Sequence, residues 1–85
     1  MTIKQQEILK DVARVMHEKY GEDESKITME TNLKDDTDLD SLDRVELGME
    51  IEKEFDITMP DESHESFVTV GDIVRCVEDR YNPIK

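Results

Sequence analysis

The stretch Asp40-Ser41-Leu42-Asp43-Arg44-Val45-Glu46-Leu47-Gly48-Met49-Glu50-Ile51-Glu52-Lys53-Glu54-Phe55 decides how this chain folds. Read at about 100° per residue, it is a helix with two apolar stripes rather than one. Leu47, Ile51 and Phe55 stack on one side, and Leu42, Val45 and Met49 cluster almost opposite. In a domain this small only one stripe can face a core. The other is expected to stay exposed, bordered by Asp43, Glu46, Glu50 and Glu52, and an apolar stripe in an acidic frame marks a docking surface. The competing possibility is a central helix buried on all sides.

The start of this helix carries two readings at once. Asp40, with Asp43 three residues on, resembles a capping pair whose carboxylates favour the positive end of the helix dipole. Between them stands Ser41, and the sequence offers nothing to activate it as a nucleophile. Such a serine needs a positioned base, whereas His17 falls on a helix face and His64 in a loop, and no G-x-S-x-G elbow surrounds the residue. A functional Ser41 is therefore expected to be a substrate, a point of covalent attachment used by another enzyme.

Outward from this segment, the 85 residues form one domain, 1–85, near the size at which a single core barely suffices. Charged residues make up 40% of the chain and hydrophobic ones 35%, so only regular periodicity argues for folding. That periodicity is present. Ile8, Leu9, Val12, Val15 and Met16 predict a first helix over residues 3–19, closed near Gly21. Residues 21–40 are predicted as a long loop anchored by Ile27, Met29 and Leu33. Residues 56–60 read as an extended connector stopped by Pro60. A short helical turn is expected over 61–67, and Ile73, Val74 and Val77 predict a last helix over 70–81 ended by Asn82-Pro83. No strand alternation is strong enough to assign.

Charge narrows the function. Twenty-three acidic against eleven basic residues give a net charge of −12, which repels nucleic-acid backbones and anionic membrane surfaces. Thirteen of the acids lie in residues 35–65, where Arg44 and Lys53 are the only Lys or Arg, so partners are expected to be basic. Cys76 is the single cysteine and reads as a small residue at the core edge. No segment has the apolar length of a membrane span or the pattern of a signal peptide, and the chain is expected in the cytoplasm.

Asp36, Asp38 and Asp40 alternate as in the opening of a calcium loop, but Ser41 stands where that loop needs glycine, Arg44 at its ninth position and Leu47 at its terminal glutamate. Weak divalent binding at the three aspartates stays open; a dedicated calcium switch does not. Paired carboxylates in so small a chain have no room for an enclosing catalytic pocket.

Glu30-Thr31-Asn32-Leu33, Asp36, Asp40-Ser41-Leu42-Asp43, Val45-Glu46-Leu47, Glu52-Lys53-Glu54-Phe55-Asp56-Ile57, Pro60-Asp61-Glu62 and Thr69-Val70-Gly71-Asp72 together resemble the acyl carrier protein family. The resemblance implies an all-α four-helix bundle with three main helices, one short helix and a long first loop. It further implies a 4′-phosphopantetheine arm, derived from coenzyme A, on Ser41. The arm's thiol, not Cys76, would hold acyl groups as thioesters. By the same resemblance, Asp40, Leu42, Asp43, Val45, Glu46 and Met49 would meet the phosphopantetheinyl transferase (holo-carrier synthase) and the acyl-transfer and chain-elongation enzymes. The chain would be a monomeric, non-catalytic carrier, most consistent with fatty-acid biosynthesis. Two departures matter, and one is that Arg44 and Lys53 add positive charge where the family helix is often neutral or acidic. The serine is preceded by Asp38-Leu39-Asp40 rather than by a glycine, a small residue and an aspartate, and Leu39-Asp40-Ser41 resembles D-alanyl carriers. A specialised acyl or D-alanyl carrier is thus the alternative within the class, and an acidic calcium-binding or adaptor module the alternative outside it.

Overall fold

A computed structural model of the chain describes residues 2–60 and 66–81. Among them are three α-helices: α1 (Ile3–Tyr20), α2 (Ser41–Phe55) and α3 (Val70–Arg80), with a single 3-10 turn at Glu24–Lys26. No strand occurs among the described residues, only an isolated antiparallel bridge between Asn32 and Thr69. The short turn expected over 61–67 and the Asn82-Pro83 stop lie largely or wholly outside the described residues, although Phe67 is buried.

Each helix begins with the same local chemistry. Thr2, Asp40 and Thr69 each accept the backbone N–H three residues on, and the side chains of Gln5, Asp43 and Asp72 return the bond, giving three capping boxes. At α3 the Asp72 carboxylate also accepts from the Val68 N–H and from Arg75. Burial works against its charge, but these donors outweigh it and hold its pKa below the ordinary aspartate value. The ends differ from one another. Gly21 closes α1 in the left-handed region at φ 73°, as its missing side chain allows. Asp56 closes α2 at φ 53° without being glycine, a conformation that aspartate tolerates better than most residues.

The core forms where the three apolar faces meet. Ile8, Val12 and Met16 of α1, Leu47, Ile51 and Phe55 of α2, and Ile73, Val74 and Val77 of α3 are all buried. Leu9, expected in the core, is only partly buried at its margin. α3 ends one residue earlier than predicted, because Tyr81 turns extended and sets its ring edge-on to Phe55 with centroids 5.0 Å apart. Cys76 sits half-buried at the core edge, its Sγ 3.4 Å from the Met59 sulfur.

The segment between α1 and α2 is more ordered than a tethered loop. Ile27 and Leu33 are buried as expected, Met29 only partly, and Leu39 is an additional buried anchor. Its backbone zips onto the start of α3: Leu33 N–H donates to the Val68 carbonyl, Val70 N–H to Thr31, and Gly71 N–H to Met29. A Cβ on Gly71 would lie 2.8 Å from the Met29 carbonyl oxygen, closer than side-chain carbons approach such a group. Gly71→Ala is therefore expected to cost about 1–3 kcal/mol, read as a lower urea midpoint with an unchanged slope. A variant as stable as the parent would show that the loop yields freely.

Candidate functional site

Ser41 is the first residue of α2, directly after the Asp40 cap, and it is exposed. Its hydroxyl makes no hydrogen bond to another described residue. The capping reading and the attachment reading therefore coexist: Asp40 and Asp43 build the helix end, and Ser41 is presented from it. Asp40 Oδ1 accepts from the Asp43 N–H at 2.8 Å, and the Arg44 N–H bonds the Asp40 carbonyl. The N–H groups of Ser41 and Leu42 find no partner among the described residues. Exposed N–H groups at the positive end of a helix suit a phosphodiester attached at that point. The residues present thus fit a phosphate-linked arm on Ser41.

Among the described residues, no side chain hydrogen-bonds the Ser41 hydroxyl. Nδ1 of His17, in the last turn of α1, lies 2.9 Å from the Glu22 carbonyl and not on Ser41, and His64 lies outside the described residues. The recess formed by Glu22, Asp23, Lys26, Thr28, Glu30 and Asp36 does not include Ser41.

Beyond Ser41 the second stripe of α2 is open. Leu42 is 78% exposed and Met49 49%, while Val45 is half-buried, so the helix is not buried on all sides. Two members of the acidic frame also have partners within the chain. Glu50 faces Lys19 and Lys53, each at 3.8 Å, with its side chain only 23% exposed. Glu52 accepts the Met59 N–H at 2.8 Å. Both thereby also help to hold the chain together, as does Glu54, which pairs with Arg14 of α1. Asp40, Asp43 and Glu46 remain beside the exposed stripe.

Glu46 has a partner that the sequence pattern did not reveal. The Tyr20 hydroxyl, at the end of α1, donates to Glu46 Oε1 at 2.9 Å and lies 3.3 Å from the Asp43 carbonyl. A phenol 26 residues away leaves no trace in local periodicity. Burial, then the Glu46 bond and the charges of Glu46, Asp43 and Glu50, push the Tyr20 pKa well above that of a free phenol.

The aspartates of the calcium-like alternation are not gathered into a site. Among the described residues no group of three or more His, Cys, Asp or Glu could hold a metal ion. Asp36 instead accepts the Asn32 N–H, while Asn32 Oδ1 accepts from Lys34 and Asp35, closing a turn. Asp40 is spent on its cap. Among the described residues, no helix is long and apolar enough to cross a membrane.

Comparison with known proteins gives this geometry a family. Residues 7–77 match the phosphopantetheine attachment site family. An acyl carrier protein of an Exiguobacterium species is 45% identical over 75 residues, covering 88% of this chain and 95% of the relative. The acyl carrier protein of Exiguobacterium sibiricum is 42% identical over 73 residues, covering 86% and 92%. A solved structure of the acyl carrier protein from Enterococcus faecalis superposes with a TM-score of 0.67 at 33% identity, covering 88% of this chain and 92% of that one. An exposed serine at a capped helix start, an open apolar stripe beside it and matches over most of both chains lead to one conclusion: this chain belongs to the acyl carrier proteins, non-catalytic carriers built around a phosphopantetheine attachment site.

Proposed function

We propose that Ser41 is the residue that receives the 4′-phosphopantetheine arm, and that the chain carries acyl groups for fatty-acid biosynthesis as a cytoplasmic monomer. The observation that supports this reading best is an exposed, unbonded Ser41 hydroxyl at the positive end of α2. When attached, the arm supplies a thiol on which acyl groups ride as thioesters. The chain's own residues do the remaining work: Asp40 and Asp43 fix the helix end, and the rigid core keeps Ser41 in place while enzymes visit it.

Recognition falls to the open face of α2. Leu42, Val45 and Met49 offer apolar contact, and Asp40, Asp43 and Glu46 offer negative charge to a basic patch on the transferase and on acyl-transfer and elongation enzymes. Electrostatic complementarity of this kind mainly steers encounter and selects partners. Glu46→Lys is expected to raise the KM of the transferase for this protein roughly tenfold. Added salt should weaken the parent in the same direction, because the Debye length is only about 8 Å at physiological ionic strength. Steady-state kinetics across a salt series check both, and a salt-independent KM together with an inert Glu46→Lys would remove the docking face.

The pathway is tested by offering the arm-bearing protein to two enzyme sets. Malonyl transfer followed by chain elongation on the arm supports fatty-acid biosynthesis. Loading only by an adenylating ligase with D-alanine would assign the specialised alternative.

A further inference from the structure

We infer that Tyr20 is a positioning residue of the docking face, holding the Glu46 carboxylate ready for a cation on the partner. This rests on the reading of α2 as the docking face. At about 100° per residue, Glu46 lies on the border of α2, between the stripe of Leu42, Val45 and Met49 and the side that carries Glu50 and Glu54 toward α1. Tyr20 reaches that border from α1, its ring packed against the core and its hydroxyl 2.9 Å from Glu46 Oε1. This is the only hydrogen bond or ion pair of the Glu46 side chain among the described residues. Glu46 is exposed, so without the phenol its carboxylate would sweep several rotamers.

The second contact of Tyr20 makes the arrangement reversible. A phenol has one proton, and here two acceptors compete for it: Glu46 Oε1 and, at 3.3 Å, the Asp43 carbonyl in the first turn of α2. When a partner's cation draws Glu46 outward, the hydroxyl can turn its proton to Asp43 and is not left unpaired. A phenol is protonated and able to donate throughout the neutral range, and burial, then the Glu46 bond, push its pKa further up.

The test is the kinetics of arm transfer from coenzyme A by a phosphopantetheinyl transferase, on the parent, Tyr20→Phe, Glu46→Ala and the double variant. Phenylalanine keeps the ring and removes only the hydroxyl. Losing a pre-ordered side chain should raise KM about two- to tenfold in Tyr20→Phe, with kcat unchanged. In the Glu46→Ala background the same change should have no further effect, which a merely structural tyrosine would not show. Equal effects of Tyr20→Phe in both backgrounds, a lowered KM, or an unchanged KM alongside an impaired Glu46→Ala would overturn the assignment. An inert Glu46→Ala would remove the docking face itself, and the role of Tyr20 with it.

Discussion

Ser41→Ala is expected to melt like the parent and to carry no acyl group at all. The hydroxyl makes no hydrogen bond to another described residue and Ser41 is exposed, so its removal leaves no cavity and orphans no partner among them. Asp40 and Asp43 continue to cap α2, and alanine is the best helix former for its first turn. The loss of function, by contrast, should be complete, since no second serine shares the position. The check is a thermal melt by circular dichroism beside a thioester assay, in which the parent gains a hydroxylamine-sensitive acyl group and the variant gains none. Residual loading of the variant would place the arm elsewhere.

Ile51→Ala should have the largest effect on stability. Ile51 is fully buried on the inward stripe of α2, between Leu47 and Phe55 on the same face. Deleting its outer carbons loses their transfer energy and leaves a cavity, which costs about 2–5 kcal/mol in cores of this kind. Small domains hold only about 5–15 kcal/mol in total, and a chain with so much like charge is expected toward the lower end. Urea denaturation should therefore show a large fall in midpoint, with a variant partly unfolded at physiological temperature. A change under about 1 kcal/mol would mean that the inward stripe is not the core. Met49→Ala, on the other stripe, serves as the control and should be nearly neutral for folding.

α2 was legible in the sequence to the residue, and for a physical reason. Its start is written in Asp40 and Asp43, which cap it reciprocally, and its two faces in the spacing of six apolar residues. Periodicity located α1, closed at Gly21, and α3 through Ile73, Val74 and Val77, whereas the Thr69–Asp72 cap that starts α3 was not read from the sequence. Where structure depends on distant partners, local pattern was insufficient. Leu39 is one apolar residue among acids, with no periodic neighbour to mark it as an anchor. Gly71 looks like an ordinary helix glycine until the Met29 carbonyl is placed against it. Asp36 resembles a cation ligand in sequence, yet its carboxylate closes the Asn32 turn.

The candidate site followed the same division. Leu42 and Met49 were identifiable from helix geometry because exposure is set by the angle around α2, and Ser41 from its place between Asp40 and Asp43 at the helix start. Glu50 and Glu52 have the right angle for a frame and also have partners, Lys19 and the Met59 N–H, which only the tertiary structure supplies. Charge on this surface is thus divided between two duties. Part of it binds α1 and the connector to α2, and the part nearest Ser41 faces outward. Arg14, which bridges Glu18 and Glu54, and Lys19 neutralise the first group at the helix seam.

The most direct test of Ser41 as the attachment point is an intact-mass measurement of this chain after incubation with coenzyme A and a phosphopantetheinyl transferase, followed by fragmentation of the modified peptide. One phosphopantetheine per chain, mapped to Ser41 within the Asp40–Asp43 segment, is the predicted result. No gain in mass, or an arm mapped to Ser25, Ser63 or Ser66, would contradict it.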